Sequence, residues 1–210
     1  MNRIERHLSE MDDRFSESFD LAHKTNFINQ LVKEIAKKLF EYAIYPSDDD
    51  LRGAAKDYLA ENHTEFYNSM TDKKWNTYYK KNIAQPLLKQ HHSLRSALTT
   101  CVKDAMFSVF GESQLDSINT NATLADVSEW KASAKMKACY QKLFIPISSD
   151  PNDSYMSRIL SKVWPDKLPT NIKMTYTIAV CQIMLNDYYE NLTMSEDIVK
   201  DRLRRNLICD

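Results

Sequence analysis

The sequence predicts an all-α fold, a multi-helix globular domain of about seven to nine helices with an N-terminal helical, coiled-coil-like arm. Only two glycines occur in 210 residues, whereas sheet proteins use glycine in hairpin turns and bulges. Apolar residues recur three and four positions apart in most segments, which is typical of helices with one buried face. Hydroxyl or acidic residues precede these segments, and prolines or a glycine follow them, as at helix ends.

Residues 1–45 are predicted to form the helical arm and to mediate oligomerisation. The arm opens with an apolar seam at four- and three-residue spacing, as in a coiled coil. The seam consists of Ile4, Leu8, Met11 and Phe15. A second apolar stripe from Phe27 to Ala43 indicates a second helix, or one long helix with a stutter, that ends before Pro46. We expect the seam to support a dimer, since a lone helix would leave it exposed.

The middle of the chain carries helix starts and stops. Ser47, followed by three aspartates, and Thr71, followed by one, are predicted N-caps, because the hydroxyl accepts hydrogen bonds from free amides and the acids favour the helix dipole. Pro86 is expected to separate the helix after Thr71 from the next helix, which stops at Gly111. A single helix is then expected from about Leu124 to Phe144.

The C-terminal part begins at the Ser- and Asp-rich stretch 146–153, the best linker candidate in the chain. Ser154, Thr170 and Ser195 are predicted to cap three further helices. The chain is thereby divided into the arm (1–45), a central helical domain (46–145) and C-terminal helices (146–210) that we expect to pack on the same core.

Charge is distributed unevenly, although the formal net charge is only −1. Residues 71–103 carry seven basic side chains and one acidic one, whereas residues 1–70 carry nine basic and fourteen acidic ones. The seven are Lys73, Lys74, Lys80, Lys81, Lys89, Arg95 and Lys103. This imbalance indicates a polyanionic partner, because lysines that contact phosphates release counterions. A second basic cluster, Lys200, Arg204 and Arg205, is a further candidate for phosphate contacts or an import signal, or it stabilises the end of the last helix.

Aromatic residues alternate with the first lysines of this segment. Trp75, Tyr78 and Tyr79 are of the residue types that stack on exposed bases. On a helix, however, the lysines at 73–74 and 80–81 fall near one side and these rings lie mostly on the other. We therefore predict a solvated basic face with the aromatic side chains in the core.

No catalytic or metal-binding pattern is recognisable. Adjacent helical residues point about 100° apart, so His91 and His92 cannot readily share a metal ion. The four cysteines show neither CxxC nor Cys-His spacing. They are expected to be reduced, with Cys101, Cys139 and Cys181 on the apolar sides of their helices. The expectation is a non-enzymatic protein without a metal or cofactor.

The expected cellular location follows from the lack of a membrane-spanning segment and of an export signal. The longest apolar-leaning segment, residues 172–185, is too short to span a bilayer and contains Lys173, so no membrane association is expected. The charged N-terminus shows no export signal. Together with reduced cysteines, this predicts an intracellular protein of the nucleus or cytoplasm, with the nucleus slightly favoured.

Three blocks of the C-terminal half stand out together. They are Val109-Phe110-Gly111-Glu112 with Leu115, the helix Ile172–Leu185, and Ser195-Glu196-Asp197 with Lys200 and Arg204. In this order the blocks resemble a BEN domain, a compact helical module of chromatin proteins that bind DNA. The intervening stretch 116–170 is longer than that pattern, and no dense basic recognition segment is obvious. The resemblance implies DNA binding through a helix terminus and its adjoining loop.

These observations predict a non-enzymatic, helical nucleic-acid-binding module, associated with DNA or chromatin, with residues 71–103 as its electrostatic footprint. The alternative is a protein–protein adaptor or structural oligomerisation domain, whose basic surface meets an acidic protein or the chain's own acidic first third. The two differ in whether the lysines at 73–74 and 80–81 form an open surface with Lys89 and Arg95 or pair with acids of residues 1–65.

Overall fold

The computed structural model describes residues 24–119, 121–189 and 192–208, apart from the side chains of residues 207 and 208. Within these ranges the chain forms α-helices, a π-helical turn and loops, without a β-strand. The prediction of an all-α, multi-helix fold is confirmed. The predicted seam of Ile4, Leu8, Met11 and Phe15 lies outside the described residues, and the dimer stays a prediction.

The helices are joined by connections of varying length. Helix α1 covers residues 24–40. It is followed by α2 (Asp48–Asn62), α3 (Thr64–Asn68) and α4 (Asp72–Tyr78), and α4 continues through a π-helical turn (Tyr79–Ile83) into α5 (Ala84–Phe110). The remaining helices are α6 (Leu124–Ala132), α7 (Ala134–Lys142), α8 (Tyr155–Val163), α9 (Asn171–Leu185) and α10 (Glu196–Ile208). None of the described helices is both long and apolar enough to cross a membrane.

The chain divides into two compact units. Of the described residues, the first comprises 24–40 and Pro46–Leu94, and the second comprises Glu41–Tyr45 and the described part of the chain from Arg95 onwards. Helix α5 therefore supplies its N-terminal part to the first unit and its C-terminal part to the second. The linker candidate at residues 146–153 lies inside the second unit, where an isolated β-bridge between Pro146 and Ser154 closes the loop at its base.

Most helix ends are formed by the residues expected to form them. The Asp50 amide donates to the Ser47 hydroxyl (3.2 Å) and the Ser47 amide donates to the Asp50 carboxylate (2.8 Å), which makes a reciprocal capping box. The Asp50 carboxylate accepts hydrogen bonds from both the Ser47 amide and the Ser47 hydroxyl, and these two bonds lower the pKa of Asp50. Thr71 caps α4. Gly111 ends α5 with a φ of 70°, a backbone conformation that costs glycine no strain.

Pro86 does not separate two helices, contrary to the prediction. It is the third residue of α5 and follows the π-helical turn. The Ala84 amide donates to the carbonyl of Tyr79, five residues earlier. The backbone has thus already left the α-helical bonding pattern just before Pro86, which has no N–H to donate. The chain therefore remains helical through the proline.

The predicted single helix from Leu124 to Phe144 is also wrong, because Ser133 divides it into α6 and α7. Ser133 has extended backbone angles (φ −60°, ψ 149°). Its hydroxyl accepts a hydrogen bond from the Met136 amide at 3.2 Å. This local bond competes with continuation of α6 and caps the start of α7.

The core of the first unit includes α1, whose apolar stripe the sequence places in the arm. The side chains of Leu31, Ile35 and Leu39 are almost completely buried. The ring of Phe40 meets the buried ring of His91 edge-on, at 5.3 Å between centroids. Residues 24–40 are therefore an integral part of this unit.

The second unit is organised around α9. Eleven of the fifteen residues of α9 are buried, so this helix is covered on most sides. Helices α7, α8 and α10 all pack against it. A hydrogen bond of 2.7 Å between the hydroxyls of Tyr176 and Thr99 joins α9 to α5.

Candidate nucleic-acid interface

Five of the predicted basic residues lie on one exposed side of the continuous helix α4–α5, in the first unit. The inner side of this helix carries a row of buried residues that are four positions apart in the sequence: Trp75, Tyr79, Ile83 and Leu87. The residues two positions before or after these buried residues are all exposed: Lys73, Thr77, Lys81, Gln85 and Lys89. Positions two residues from a buried row point roughly to the opposite side of a helix. Lys74 and Lys80 adjoin this outer row and are also exposed. We call Lys73, Lys74, Lys80, Lys81 and Lys89 the lysine face.

The π-helical turn helps to keep both rows straight. In an α-helix a step of four residues overshoots a full turn by about 40°, so a four-residue row drifts around the axis. A π-helical turn joins residues five apart by hydrogen bonds and therefore contains more residues per turn than an α-helix. Four residues then rotate by less, which reduces the drift over Tyr79–Ile83. The result is that the lysines before and after the turn stay on one side of the helix.

The charges of the lysine face are not neutralised by described residues. None of its five lysines forms an ion pair within the ranges that the structure describes. By contrast, Lys37 pairs with Glu34 (3.2 Å) and Lys38 with Glu61 (3.4 Å) elsewhere in the same unit. The lysine face is consequently an open, net positive surface.

Trp75 and Tyr79 belong to the core, as predicted, whereas Tyr78, for which the same was predicted, is only partly buried. The Trp75 side chain is only 4% exposed and its ring contacts the rings of Tyr67 (5.8 Å) and Tyr79 (5.6 Å). Tyr78 is half-buried and packs edge-on against Phe66 at 5.4 Å. Burial raises the pKa of both Tyr78 and Tyr79. Base stacking on Trp75 or Tyr79 would require the core to open.

Arg95 and Lys103 belong to the second unit, where both hold main-chain carbonyls. Arg95 donates from Nη1 to the Ile44 carbonyl (3.3 Å) and its guanidinium lies 4.3 Å from the ring centroid of Tyr45. Lys103 donates from Nζ to the Leu192 carbonyl at 3.3 Å. Desolvation by burial lowers the pKa of Lys103. The structure therefore does not bring these two cations into the lysine face.

The C-terminal basic cluster is largely engaged within α10. Lys200 pairs with Glu196 at 2.8 Å, and Arg205 pairs with Asp201 at 2.9 Å. Arg204 is exposed and forms no ion pair with a described residue. Exposed i, i+4 ion pairs contribute only a few tenths of a kcal/mol. The ion pairs of Lys200 and Arg205 therefore hold these side chains only weakly.

The second unit contains a buried lysine that the sequence does not single out. Lys131 is only 1% exposed, and its Nζ donates to the carbonyls of Ile183 (2.9 Å) and Asn186 (3.4 Å) at the end of α9. Burial lowers the pKa of Lys131 to about 8. The available signal was its position four residues after Val127, on the buried side of α6.

Metal-ligating and cysteine side chains are dispersed. No group of three His, Cys, Asp or Glu side chains in the described part of the chain is arranged to hold a metal ion. Cys139 and Cys181 are buried, and burial raises the pKa of both thiols, that of Cys181 to about 12. Cys101 is exposed, contrary to expectation, because it lies on the outer side of α5.

Comparison with known proteins gives no relative from which a role could be transferred. No family model, curated protein or solved structure matches the chain.

Proposed function

We propose that the protein is a non-enzymatic nucleic-acid-binding module that holds the phosphate backbone on the lysine face. The observation that carries the proposal is the exposure of five lysines on one side of α4–α5 without an ion pair to any described residue. Several positive charges along one face attract a polyanion, and the entropy gained when counterions are released drives the binding of that polyanion. DNA or chromatin association and nuclear location are part of this proposal.

The dimensions of the lysine face fit a nucleic-acid backbone. At about 1.5 Å of rise per residue, Lys73 and Lys89 are roughly 24 Å apart along the helix. Along the axis of a duplex one strand advances by about 3.4 Å per phosphate, so this length corresponds to about seven base-pair steps. Lysine contributes a compact charge on a flexible stem and lacks the planar fork with which arginine recognises bases. The expected interaction is therefore with backbone phosphates and insensitive to sequence.

The resemblance to BEN domains adds to the proposal a second contribution to DNA binding, from the second unit. Its blocks correspond to the end of α5 with Gly111, to α9 and to α10 from its start as far as Arg204. Family modules of this kind are expected to use a helix terminus and its loop. Arg204 is the basic residue of these blocks that carries an exposed charge without an ion pair to a described residue, and we assign it the accessory phosphate contact.

The test is a titration of labelled duplex DNA with the full chain at several salt concentrations, followed by fluorescence anisotropy. Five phosphate contacts predict a log–log slope of about −4 to −5, at about 0.9 per contact. The substitutions Lys73→Gln, Lys81→Gln and Lys89→Gln, made together, should weaken binding at low salt and reduce the slope by about 2 to 3.

A matched control removes the same charge from the same unit. Lys33, Lys37 and Lys56 are exposed lysines on α1 and α2, and their joint replacement by glutamine should leave the slope near that of the parent. If the parent fails to bind duplex DNA, single-stranded DNA and RNA at low salt, or if the two triple variants bind equally well, the protein is better described as an adaptor for an acidic protein partner.

A further inference from the structure

A cleft of about 900 Å³ in the second unit has no part in the proposed phosphate contacts. One wall is the segment that follows α9, with Asn186, Tyr188 and Tyr189. The other wall is a polar side of α10. Clefts of this size with convergent polar groups commonly hold a small ligand or part of a larger one.

Tyr188 presents its ring to solvent at this cleft. Its side chain is 82% exposed, the most exposed aromatic among the described residues. The ring is nevertheless in a defined place, because it meets Tyr189 edge-on at 5.4 Å and 86°. The Tyr188 amide donates to the Asn186 side-chain oxygen at 2.9 Å, which fixes the turn that carries it. An exposed ring on an ordered turn is a stacking surface.

The turn rests on the buried Lys131. The Nζ of Lys131 donates to the carbonyls of Ile183 and Asn186 and lies 5.9 Å from the centroid of the Tyr189 ring. A buried cation therefore fixes the backbone just before the two tyrosines. This arrangement pre-organises the wall, so that a ligand does not have to order it on binding.

The α10 wall offers donors and acceptors without an excess of either charge. Asp197 and Asp201 balance Arg202 and Arg205. The Nε of Arg202 is held by the side-chain oxygen of Gln182 at 2.7 Å, which orients its guanidinium. Because the charges cancel, the cleft does not favour a phosphate, whereas its amide, carboxylate and guanidinium groups match the mixed donors and acceptors of a base edge.

We propose that this cleft binds an unpaired nucleobase of a single-stranded nucleic acid, stacked on Tyr188 with its edge towards α10. This inference rests on the proposed function, to which it adds the preferred state of the strand. Bases in a duplex are stacked and paired and cannot enter the cleft, whereas unpaired bases expose both their faces and their edges. The second unit thus confers a preference for single strands that the lysine face alone does not provide.

The experiment compares a mixed-sequence single strand of about a dozen nucleotides with the matching duplex, by fluorescence anisotropy on the full chain. Tyr188→Ala should weaken single-strand binding about five- to hundredfold, because this is the affinity that base stacking on one aromatic ring contributes. Duplex binding should remain unchanged. Tyr188→Phe should retain single-strand binding, since the ring remains. Tyr42→Ala is the matched control, because Tyr42 is also an exposed tyrosine (63%) of this unit but lies outside the cleft.

The salt dependence separates this inference from the proposed function. Tyr188→Ala should lower single-strand affinity without changing the salt slope, because no phosphate contact is lost. Unchanged single-strand affinity in Tyr188→Ala, with the lysine-face variant still impaired, would overturn the cleft and leave the proposed function standing. A parent protein that binds neither strand form would overturn both. As a direct readout, a single strand carrying 5-bromouracil should crosslink to Tyr188 or Tyr189 on irradiation, and crosslinks confined to the first unit would count against the cleft.

Discussion

The pH dependence of stability offers a test of how Lys131 is accommodated. Burial lowers the pKa of Lys131 from the ordinary 10.5 to about 8 in the folded chain. Between these two pH values the unfolded chain binds more protons than the folded chain. The free energy of unfolding therefore increases as pH rises from about 8 to 10.5, because raising the pH relieves the cost of keeping a buried ammonium charged.

The size of the increase in the free energy of unfolding follows from the pKa shift of Lys131. One pKa unit corresponds to about 1.4 kcal/mol, so the increase is at most about 3.5 kcal/mol. Lys131→Met has a similar shape and no charge, and it should lose this part of the pH dependence. At neutral pH the variant removes the buried charge but also the donor to the carbonyls of Ile183 and Asn186. These two effects oppose each other, which makes the pH profile more informative than a single value.

The measurement is urea unfolding of the parent and of Lys131→Met at intervals from below pH 8 to pH 10.5, followed by circular dichroism. Titrating groups remote from Lys131 are common to both proteins and cancel in the difference, whereas Lys103, whose charge also lowers the pKa of Lys131, contributes to the difference between the two profiles. Lys142→Met, at an exposed lysine of α7, should keep the parent's profile. Parallel profiles for the parent and Lys131→Met would show that the folded-state pKa of Lys131 is not depressed, and would refute the argument from burial.

Three further outcomes are expected. Trp75→Ala should lower the free energy of unfolding by about 3–5 kcal/mol in the same assay, because it leaves a cavity at a buried position; a loss under about 1 kcal/mol would mean that the ring is not part of the core. A thiol reagent should label Cys101 rapidly in the native protein and spare Cys139 and Cys181 until unfolding, since only Cys101 of these three is exposed. Light scattering should give a dimer for the full chain and a monomer after removal of residues 1–23, a truncation that leaves the buried side of α1 in place; a monomeric full chain at micromolar concentration would contradict the prediction from the N-terminal seam.

Helix type and most helix ends were predictable because they depend on neighbours in the sequence. Ser47 and Thr71 cap their helices through amides three residues away, and Gly111 stops α5 through its own backbone conformation. The inner position of Trp75 follows from helical spacing. The same local rules gave the wrong result at Pro86, where a π-helical turn had already altered the bonding pattern, and at Ser133, where a cap interrupted an otherwise helical pattern.

The sequence by itself determined that basic residues concentrate in 71–103, but only the tertiary structure decided which of them face solvent. Arg95 donates to a carbonyl 51 residues away and Lys103 to one 89 residues away, and no pattern of neighbouring residues reveals such bonds. Lys131 is buried for the same reason, since the carbonyls it holds lie more than fifty residues further along the chain. A cation's availability depends on the dielectric and the acceptors around it, and these are supplied by segments that only folding brings together.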